Sequence, residues 1–305
     1  MTFNPDTDIP SLTGKTILVT GGSSGLGKET VLQLAKHNPE RLILTARTQK
    51  RGDAAIQEIE REVPASKGKI EFLQLDLGSL KSVKAAAETF RGKYERLDVL
   101  VNNAGLMNLP PGVNEDGYEV TFGSNYMGPA LLTKLLLPTL QSTASQPNTD
   151  VRIVNLSSEL FKQAPSDGVP ISKLKTPLTE MGSIARYGMT KLADYYHTTK
   201  SLAEKYPNIT SVAVHPGLVN TGILDDWKKR SPYFGWLIGS LVSLVAVDVH
   251  KGARAQLWAA TGGGVRSGAL CKPSLKEYTE KQLKDDAQAE RLWEWTEREF
   301  EALGY

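Results

Sequence analysis

Residues 15–27 read KTILVTGGSSGLG and contain an apolar run followed directly by a glycine-rich turn. The run 16–20 is short, rich in β-forming side chains and nearly all apolar, which is typical of a strand covered by helices on both faces. Beyond the turn, Val31, Leu34 and Ala35 recur at helical spacing, which predicts an amphipathic helix. The stretch therefore predicts a buried strand, a tight turn and a helix in immediate succession.

Short apolar runs and helix-length segments alternate along the rest of the chain. The next predicted strands cover residues 42–44, 70–73, 99–101, 151–154 and 211–214. Strands joined through helices pair in parallel by right-handed crossovers, with helices on both faces of the sheet. We therefore predict an α/β fold of the Rossmann type, a doubly wound parallel sheet, in a single domain over residues 1–305 with its core at about 15–270.

Length and composition fit one soluble globular domain. The chain has 305 residues, 40% of them hydrophobic and 23% charged, with a formal net charge of +2. A charge this small gives no electrostatic basis for binding nucleic acid or an anionic membrane. A lone cysteine, Cys271, cannot form an internal disulfide, and four scattered histidines lack metal-binding spacing. Residues 1–10 lack the apolar run of a signal peptide, so we expect a cytoplasmic protein without a metal site.

The glycine-rich turn at 20–27 predicts a nucleotide site. Glycines allow a tight turn and a close backbone approach, while the following helix presents free N–H groups and a partial positive charge to a pyrophosphate. A glycine turn can also be purely structural. At the first strand-to-helix junction of a doubly wound fold, however, it favours dinucleotide binding.

The end of the second predicted strand indicates which dinucleotide binds. An acidic residue there accepts hydrogen bonds from a ribose 2′-hydroxyl, whereas an arginine complements a 2′-phosphate. This chain has Thr45-Ala46-Arg47-Thr48, and the next carboxylate is Asp53. Arg47 therefore favours NADP(H) over NAD(H); the alternative is that it is only a solvated surface arginine.

Further motifs follow the turn in order along the chain. They are Asn102-Asn103-Ala104-Gly105, Asn125, Ser157-Ser158, Tyr187-Gly188-Met189-Thr190-Lys191 and His215-Pro216-Gly217-Leu218-Val219-Asn220-Thr221. Together with Gly-x-x-x-Gly-x-Gly at 21–27, they resemble the classical short-chain dehydrogenase/reductase family from about residue 15 to 270. The surroundings of Asn125 and the wide spacing of Ser158 and Tyr187 resemble its retinol-dehydrogenase-like branch, in particular the fungal-type members.

This resemblance implies a catalytic set made of Asn125, Ser158, Tyr187 and Lys191. Tyr187 is then the acid that protonates a carbonyl oxygen, and Lys191 assists it and holds the nicotinamide ribose. Ser158, the second of two adjacent serines, hydrogen-bonds the substrate oxygen, and Asn125 positions a water. The cofactor-binding residues implied in the same way are Gly21, Ser23, Ser24, Gly25, Leu26, Gly27, Arg47, Asp76, Leu77, Asn103, Ala104, Gly105, Tyr187, Lys191, Pro216, Gly217, Val219 and Thr221.

The spacing of Tyr187 and Lys191 supports this chemistry independently. Residues four apart on a helix lie one turn apart on the same face, so the lysine ammonium can stabilise the tyrosine phenolate. The Tyr-x-x-x-Lys pattern alone occurs by chance in many helices. Its combination with the glycine turn and with Ser158 favours catalysis.

Three segments depart from the alternating pattern. Residues 159–182 contain three prolines and predict an irregular insertion beside the substrate cleft. Residues 222–250 are predicted to form a substrate lid. They contain an apolar run at 233–247, which is too short to cross a membrane, because a membrane-spanning helix needs about 20 residues. A peripheral membrane contact of that run is the alternative. Residues 280–303 predict a charged helical tail docked on the body.

We interpret the chain as an NADP(H)-dependent oxidoreductase that interconverts a carbonyl and an alcohol on a hydrophobic small molecule. Analogy with fungal-type members suggests a secondary metabolite or a lipid-like aldehyde or ketone. Aromatic residues near the lid favour a greasy substrate; they are Trp227, Tyr233, Phe234 and Trp236. The alternatives are a non-catalytic NAD(P)-binding sensor or scaffold and a dehydratase or epimerase, which fold alone does not separate. The resemblance also allows a homodimer.

Overall fold

A parallel sheet forms the middle layer of the computed structural model, which describes residues 3–219, 248–278 and 280–305 apart from the side chain of Lys200. Its strands are β1 (Thr16–Val19), β2 (Arg41–Ala46), β3 (Ile70–Gln74), β4 (Val99–Asn102), β5 (Arg152–Leu156), β6 (Thr210–Val214) and β7 (Leu270–Cys271). They lie in the order β3-β2-β1-β4-β5-β6-β7, and every neighbouring pair is parallel. The predicted doubly wound parallel sheet is thereby confirmed.

Helices cover both faces of the sheet. The longer ones are α1 (Gly25–Ala35), α2 (Gln49–Glu62), α3 (Leu80–Lys93), α4 (Gly128–Ala144), α5 (Ser183–Tyr196), α6 (Val249–Thr261) and α7 (Asp286–Ala302). Helices α1, α2 and α6 pack on one face, and α3, α4, α5 and α7 pack on the other. Short helical segments lie at Pro5–Asp8, Pro64–Ser66, Val120–Phe122, Glu159–Gln163, Ile171–Lys173 and Lys281–Lys284, and π-helical turns lie at Gly123–Met127 and His197–Ala203.

Strand β1 is buried from both sides. Ile17 and Val19 belong to the core beneath α1 and α6, whereas Leu18 belongs to the core beneath α3 and α4. This division arises because successive strand residues point to opposite faces of a sheet. Burial of each such side chain stabilises the fold by about 1.5–3 kcal/mol. The unbroken apolar run of this strand therefore follows from its position in the centre of the sheet.

Strand β7 is not predicted by the sequence pattern, because two residues are too few to show a strand period. Leu270 and Cys271 pair with Ala213 and Val214 of β6. Cys271 is a free and buried cysteine, as the predicted absence of a partner within the chain requires. Burial raises the pKa of the Cys271 thiol to about 11, so this side chain stays protonated and packs as a small hydrophobe.

The segment 159–182 is packed against the body rather than extended into solvent. Its side chains Phe161 and Leu174 are fully buried. The Val169 amide donates to Gln288 Oε1 of α7 at 3.1 Å, and Gln288 Nε2 donates to the Asp167 carbonyl at 2.6 Å. The C-terminal helix therefore holds this segment next to α5.

Residues 220–247 lie outside the described residues. They include Thr221, the apolar run at 233–247, the aromatic residues near it and most of the predicted lid. Among the helices that the structure describes, none is both long and apolar enough to cross a bilayer.

His197 is a buried ionisable residue at the contact between α7 and the π-helical turn that follows α5. Its ring lies 5.8 Å from that of Tyr126 and 5.5 Å from that of Trp293, centroid to centroid. Neither ring nitrogen has a hydrogen-bond partner among the described residues. Burial lowers the pKa of His197 from 6.5 to about 4, so the ring packs in its neutral form.

We expect His197→Phe to remove part of the acid sensitivity of the fold. The folded-state pKa of His197 lies below that of the unfolded chain, so its protonation destabilises the fold as the pH falls from about 6.5 towards 4. At pH 5 this contribution is about 2 kcal/mol. Urea unfolding at pH 7.5 and pH 5 should therefore show a smaller difference in unfolding free energy for His197→Phe than for the wild type.

The exposed His250 provides the matched control for this measurement. Its side chain is 47% exposed and its Nδ1 lies 3.0 Å from Glu29 Oε1, so His250→Gln removes a histidine that is not buried and should not reduce the loss of stability at pH 5. If His197→Phe also keeps the full loss of stability at pH 5, His197 does not contribute to acid sensitivity.

Candidate active site

A cavity of about 670 Å³ opens at the carboxyl-terminal edge of the sheet. Its wall includes residues that follow β1, β2, β3, β4 and β5, together with residues of α5. Strand β1 pairs with β2 on one side and with β4 on the other, so the cavity lies where the strand order reverses. Ligands of open α/β sheets bind at such points, and the volume is that of a small-molecule site.

The glycine-rich turn is tied to the loop after β4. The amides of Asn103 and Ala104 donate to Thr20 Oγ1 at 3.0 and 3.1 Å, and Asn103 Nδ2 donates to the Thr20 carbonyl at 2.8 Å. On the other side, the Gly21 amide donates to Thr45 Oγ1 of β2 at 3.1 Å. These hydrogen bonds hold the turn between the ends of three neighbouring strands.

Gly27 has no room for a side chain. A Cβ at this position would lie 2.3 Å from the Gly21 carbonyl oxygen and 2.5 Å from Asn103 Nδ2. Only glycine therefore permits the turn to close onto the loop after β4. The N-cap residue of α1, Ser24, makes no side-chain capping bond in the described structure, so the first amides of α1 remain available to an anion.

Two arginines form a basic rim at the end of β2. Arg47 and Arg51 are both exposed, and both line the cavity. Arg51 was not among the residues predicted from sequence. The signal for it is its spacing, because it follows Arg47 by four residues and lies in the first turn of α2. The two guanidinium groups can supply charge-assisted donors to a phosphate.

Asn125 lies in the π-helical turn ahead of α4 and is 1% exposed. Its Oδ1 accepts from the Leu106 amide and its Nδ2 donates to the Leu106 carbonyl, both at 2.7 Å. Asn125 Nδ2 also lies 3.3 Å from Thr190 Oγ1 of α5. The side chain therefore fixes the loop after β4 relative to α5, and π-turns of this kind are frequent at functional sites.

Tyr187 and Lys191 lie one turn apart on α5, and both line the cavity. Lys191 Nζ is 5.6 Å from the centroid of the Tyr187 ring. A Cβ built at Gly105 would lie 3.6 Å from Asn125 Oδ1 and 3.7 Å from Lys191 Nζ. Asn125 and Lys191 therefore present polar atoms to the same part of the cavity, beside Tyr187.

The two serines after β5 use their hydroxyls differently. Ser157 is buried and donates to the Lys191 carbonyl at 2.8 Å. Ser158 is partly exposed, and its Oγ accepts from the Leu160 amide at 3.2 Å. The Ser157 hydroxyl therefore already donates its proton to the backbone. The Ser158 hydroxyl only accepts a hydrogen bond, so its proton can still be donated to another acceptor.

A buried ion pair fixes the start of α5. Arg186 Nε and Glu119 Oε1 face each other at 3.1 Å, and both side chains are almost completely buried. Arg186 also donates to the carbonyls of Met181 and Leu109, and Glu119 Oε2 accepts from the Phe122 amide at 2.7 Å. The residue next to Tyr187 therefore connects α5 to the loops on both sides of the cavity.

Gly188 allows the segment 159–182 to approach α5 closely. A Cβ at Gly188 would lie 2.5 Å from the Leu160 carbonyl oxygen and 2.9 Å from the Ala164 amide nitrogen. The insertion therefore contacts α5 directly after Tyr187. Because Leu160 is two residues after Ser158, the contact brings the chain that follows Ser158 against the helical turn that carries Tyr187.

Most of the site residues predicted from sequence are brought together in the cavity wall. These are Gly21, Ser23, Ser24, Gly25, Leu26, Gly27, Arg47, Asp76, Leu77, Asn103, Ala104, Gly105, Asn125, Tyr187, Lys191 and Pro216. Ser158, Gly217 and Val219 are not part of this wall. Val219 packs against α6, since a Cβ at Gly252 would lie 2.5 Å from Val219 Cγ2. Thr221 lies outside the described residues, and the roles of all these residues stay predictions.

The wall also contains residues that are not among the site residues predicted from sequence. They are Thr45, Ala46, Arg51, Leu75, Gly78, Leu106, Ser124, Leu156 and Ser157. Apart from Arg51, each is adjacent in sequence to a predicted residue or to another member of this set. Most of them lie at or next to the ends of strands, and Ser124 precedes Asn125 in the π-helical turn. The motif positions together with the strand boundaries would therefore have indicated all of them except Arg51.

Comparison with known proteins agrees with this geometry. The family model described as short chain dehydrogenase matches residues 15–170. The chain belongs to the short-chain dehydrogenase family. An uncharacterised oxidoreductase of Schizosaccharomyces pombe is 39% identical to this short-chain dehydrogenase, over 100% of this chain and 89% of that protein. The predicted family is confirmed, and this relative is fungal, in agreement with the fungal-type resemblance.

Solved structures show the same fold. An uncharacterised protein from Mycobacterium paratuberculosis superposes with a TM-score of 0.75 at 25% identity, covering 99% of this short-chain dehydrogenase and 98% of that chain. The NADPH-bound carbonyl reductase from chicken fatty liver superposes with a TM-score of 0.64 at 24% identity, covering 87% of this chain and 99% of that chain.

We expect Gly27→Ala to weaken NADPH binding strongly, because the added methyl group displaces the Gly21 carbonyl and the Asn103 side chain. A loss of affinity of about tenfold or more is expected, since the turn amides no longer face a pyrophosphate. The measurement is NADPH fluorescence titration, with the melting temperature recorded in parallel.

Gly92 provides the control for this substitution. A Cβ at this exposed position in α3 would have nothing within 4 Å, and alanine is favoured over glycine in a helix by about 1 kcal/mol. Gly92→Ala should therefore keep the wild-type affinity and a melting temperature at least as high. Wild-type NADPH affinity in a folded Gly27→Ala variant would show that the turn does not hold the dinucleotide.

Proposed function

We propose that this short-chain dehydrogenase is an NADP(H)-dependent oxidoreductase that interconverts a carbonyl and an alcohol on a hydrophobic small molecule. The observation that carries the proposal is that Tyr187 and Lys191 line the same cavity as the glycine-rich turn. An acid and a dinucleotide-type turn in one cavity are the minimum that carbonyl reduction requires. A non-catalytic sensor of the same fold has no need for the tyrosine and lysine at this place.

The cavity wall fits a phosphorylated dinucleotide. The free amides at the start of α1 suit a pyrophosphate, and the guanidinium groups of Arg47 and Arg51 suit a 2′-phosphate. Arg47 and Arg51 line the cavity at the end of β2, where they favour NADP(H) over NAD(H). Lys191 supplies a donor for the nicotinamide ribose. The NADPH bound by the similarly folded chicken carbonyl reductase supports the same choice.

Tyr187 is the proposed acid of the site. When bound, NADPH supplies the hydride that reduces the carbonyl carbon. Tyr187 gives its hydroxyl proton to the carbonyl oxygen, and in the oxidation direction the phenolate takes the alcohol proton back. The Lys191 ammonium lies 5.6 Å from the Tyr187 ring centroid. It stabilises the phenolate that Tyr187 forms when it gives up its proton.

Ser158 and Asn125 complete the proposed site. Ser158 is favoured over Ser157 as the donor to the substrate oxygen, because the Ser157 hydroxyl is already bound to the Lys191 carbonyl. A hydroxyl donor at that oxygen stabilises the negative charge that develops there. Asn125 holds the Leu106 backbone through two hydrogen bonds, and the remaining lone pair of its Oδ1 suits the water that the family resemblance assigns to it.

The proposal also includes the substrate class, the cellular compartment and the association state. A secondary metabolite or a lipid-like aldehyde or ketone rests on analogy with fungal relatives. The cytoplasm is proposed because Cys271 is a buried, unpaired thiol and such thiols persist in reducing compartments. A homodimer is proposed on the resemblance, and the apolar run at 233–247 is proposed as part of the substrate lid, with a peripheral membrane contact as the alternative.

Tyr187→Phe should lower kcat by about 100-fold or more, because general acid catalysis contributes about 10²–10⁴ in rate. The affinity for NADPH should stay within about threefold, since the phenyl ring still fills the same space. The measurement is loss of reduced-nicotinamide absorbance with a panel of aromatic and long-chain aldehydes and ketones, together with NADPH titration.

Tyr195→Phe is the matched control for this prediction, because Tyr195 lies two turns further along α5 and outside the cavity wall. It should retain wild-type turnover. Turnover by Tyr187→Phe at the wild-type rate would remove Tyr187 from its role, and a wild-type enzyme that binds NADPH but reduces no carbonyl would favour the sensor.

Arg47→Asp should reduce the preference for NADPH over NADH by about tenfold or more, because a charge-assisted hydrogen bond to phosphate is worth about 1.5–3 kcal/mol. The introduced carboxylate also repels the 2′-phosphate and can accept from a ribose hydroxyl. The measurement is the ratio of dissociation constants for NADPH and NADH. Lys50→Asp, an equal charge change at an exposed position of α2 outside the cavity wall, should leave the ratio nearly unchanged.

A further inference from the structure

Lys191 has a second buried partner that the proposed chemistry does not use. Lys191 Nζ donates to the Leu156 carbonyl of β5 at 2.7 Å and to Asp194 Oδ2 at 2.8 Å. An ammonium group carries three N–H donors. Two of them are therefore bound within the protein, and the third is left for the cavity, whose wall includes Lys191.

Asp194 lies on the same face of α5 as the proposed catalytic pair. It follows Lys191 by three residues and Tyr187 by seven, which is about two helical turns. The side chains of Lys191 and Asp194 are only 5% and 10% exposed. A buried ammonium without a counter-charge is strongly disfavoured, and it tends to lose its proton.

We propose that Asp194 is a positioning residue for Lys191: its carboxylate keeps the buried lysine charged and, together with the Leu156 carbonyl, aims the remaining N–H into the cavity. The inference deepens the proposed function and rests on it, because the cavity donor is the one assigned to the nicotinamide ribose. Asp194 itself does not line the cavity, so it acts only through Lys191.

The charges around the pair are consistent with this role. Burial lowers the pKa of Lys191, but the charge and hydrogen bond of Asp194 together with the charge of Tyr187 outweigh it, so the pKa lies above its ordinary value. Burial also raises the pKa of Asp194 to about 6, although Lys191 opposes this shift. Asp194 is therefore largely ionised above pH 7, where Lys191 is charged.

In the part of the chain that the structure describes, few other ionisable groups act on the pair. Tyr187 acts on Lys191 from the same helix, and Tyr126 of the neighbouring π-helical turn feels the charge of Asp194. Burial raises the pKa of Tyr126 well above its ordinary value, so Tyr126 stays neutral. His197, on the next turn after Asp194, is neutral above about pH 4. From β5 and the loop after β4, the groups facing Lys191 are the uncharged Leu156 carbonyl and the Gly105 backbone.

The test is the pH dependence of NADPH affinity, measured by fluorescence titration between pH 7.5 and 9.5. In the wild type, Lys191 stays charged over this range, so the dissociation constant should change by less than about threefold. Asp194→Asn keeps the size of the side chain and an oxygen acceptor but removes the charge. Its affinity should fall below that of the wild type wherever Lys191 has lost its proton, by about tenfold or more at pH 9.5.

Two variants separate charge from packing. Asp194→Glu keeps the negative charge, and its affinity should show the flat wild-type pH profile even if its absolute value differs. Ser201→Ala alters a buried hydroxyl in the π-helical turn after α5 that has no partner among the described residues, and it should follow the wild type. A packing defect would shift the affinity of a variant equally at every pH.

The outcomes are distinct. Wild-type affinity of Asp194→Asn throughout the range, or the same loss in Asp194→Glu as in Asp194→Asn, overturns the proposal. If Asp194→Asn does not fold, Asp194→Ser removes the same charge with less bulk and is judged by the same criterion. If the wild type does not bind NADPH at any pH, the proposed function fails instead, whatever the variants do.

Discussion

The pairing of β1 with β2 on one side and β4 on the other is the constraint on which the molecule depends. Parallel strands buried on both faces must be connected by helices, and all their carboxyl ends then lie at one edge. Between β1 and β4 the order of the strands in the sheet reverses. The connections that follow these two strands run to opposite faces of the sheet, and a cavity remains between them. The glycine turn, the loop after β4 and the start of α2 meet there because of this topology.

Helix α5 is held against that edge by buried charged groups. Arg186 and Glu119 form an ion pair at its start, and Lys191 and Asp194 form another two turns along. Burying ions costs free energy that pairing alone does not always recover, so such pairs specify one arrangement rather than add much stability. Here they fix the residues on both sides of Tyr187, and they leave Lys191 with one donor directed at the cavity.

The features of this protein that could be predicted from its sequence are those that depend on residues close together in the chain. Strands β1 to β6 appear as short, largely apolar runs because helices cover both faces of the sheet, and the edge strand β3 is only partly buried. The glycine turn is recognisable because it follows β1 directly. Arg47 at the end of β2 and the pair Tyr187 and Lys191 on α5 could be singled out in the sequence, because the spacing that matters there lies within one strand end or one helical turn. Strand β7 could not be predicted in this way, since two residues are too few to show a hydrophobic pattern.

Sequence alone thus determined the doubly wound fold, the family and most of the cavity wall, because these follow from local hydrophobic period and short motifs. Only the tertiary structure decided which donors remain free. Ser157 is bound to the Lys191 carbonyl, Asp194 meets Lys191 in the interior, and the segment 159–182 packs against α5 beside Gly188. Packing and the need to satisfy buried polar groups decide which residues these contacts join. Residues distant in sequence compete for the same hydrogen-bond partners, and sequence spacing does not show which of them binds.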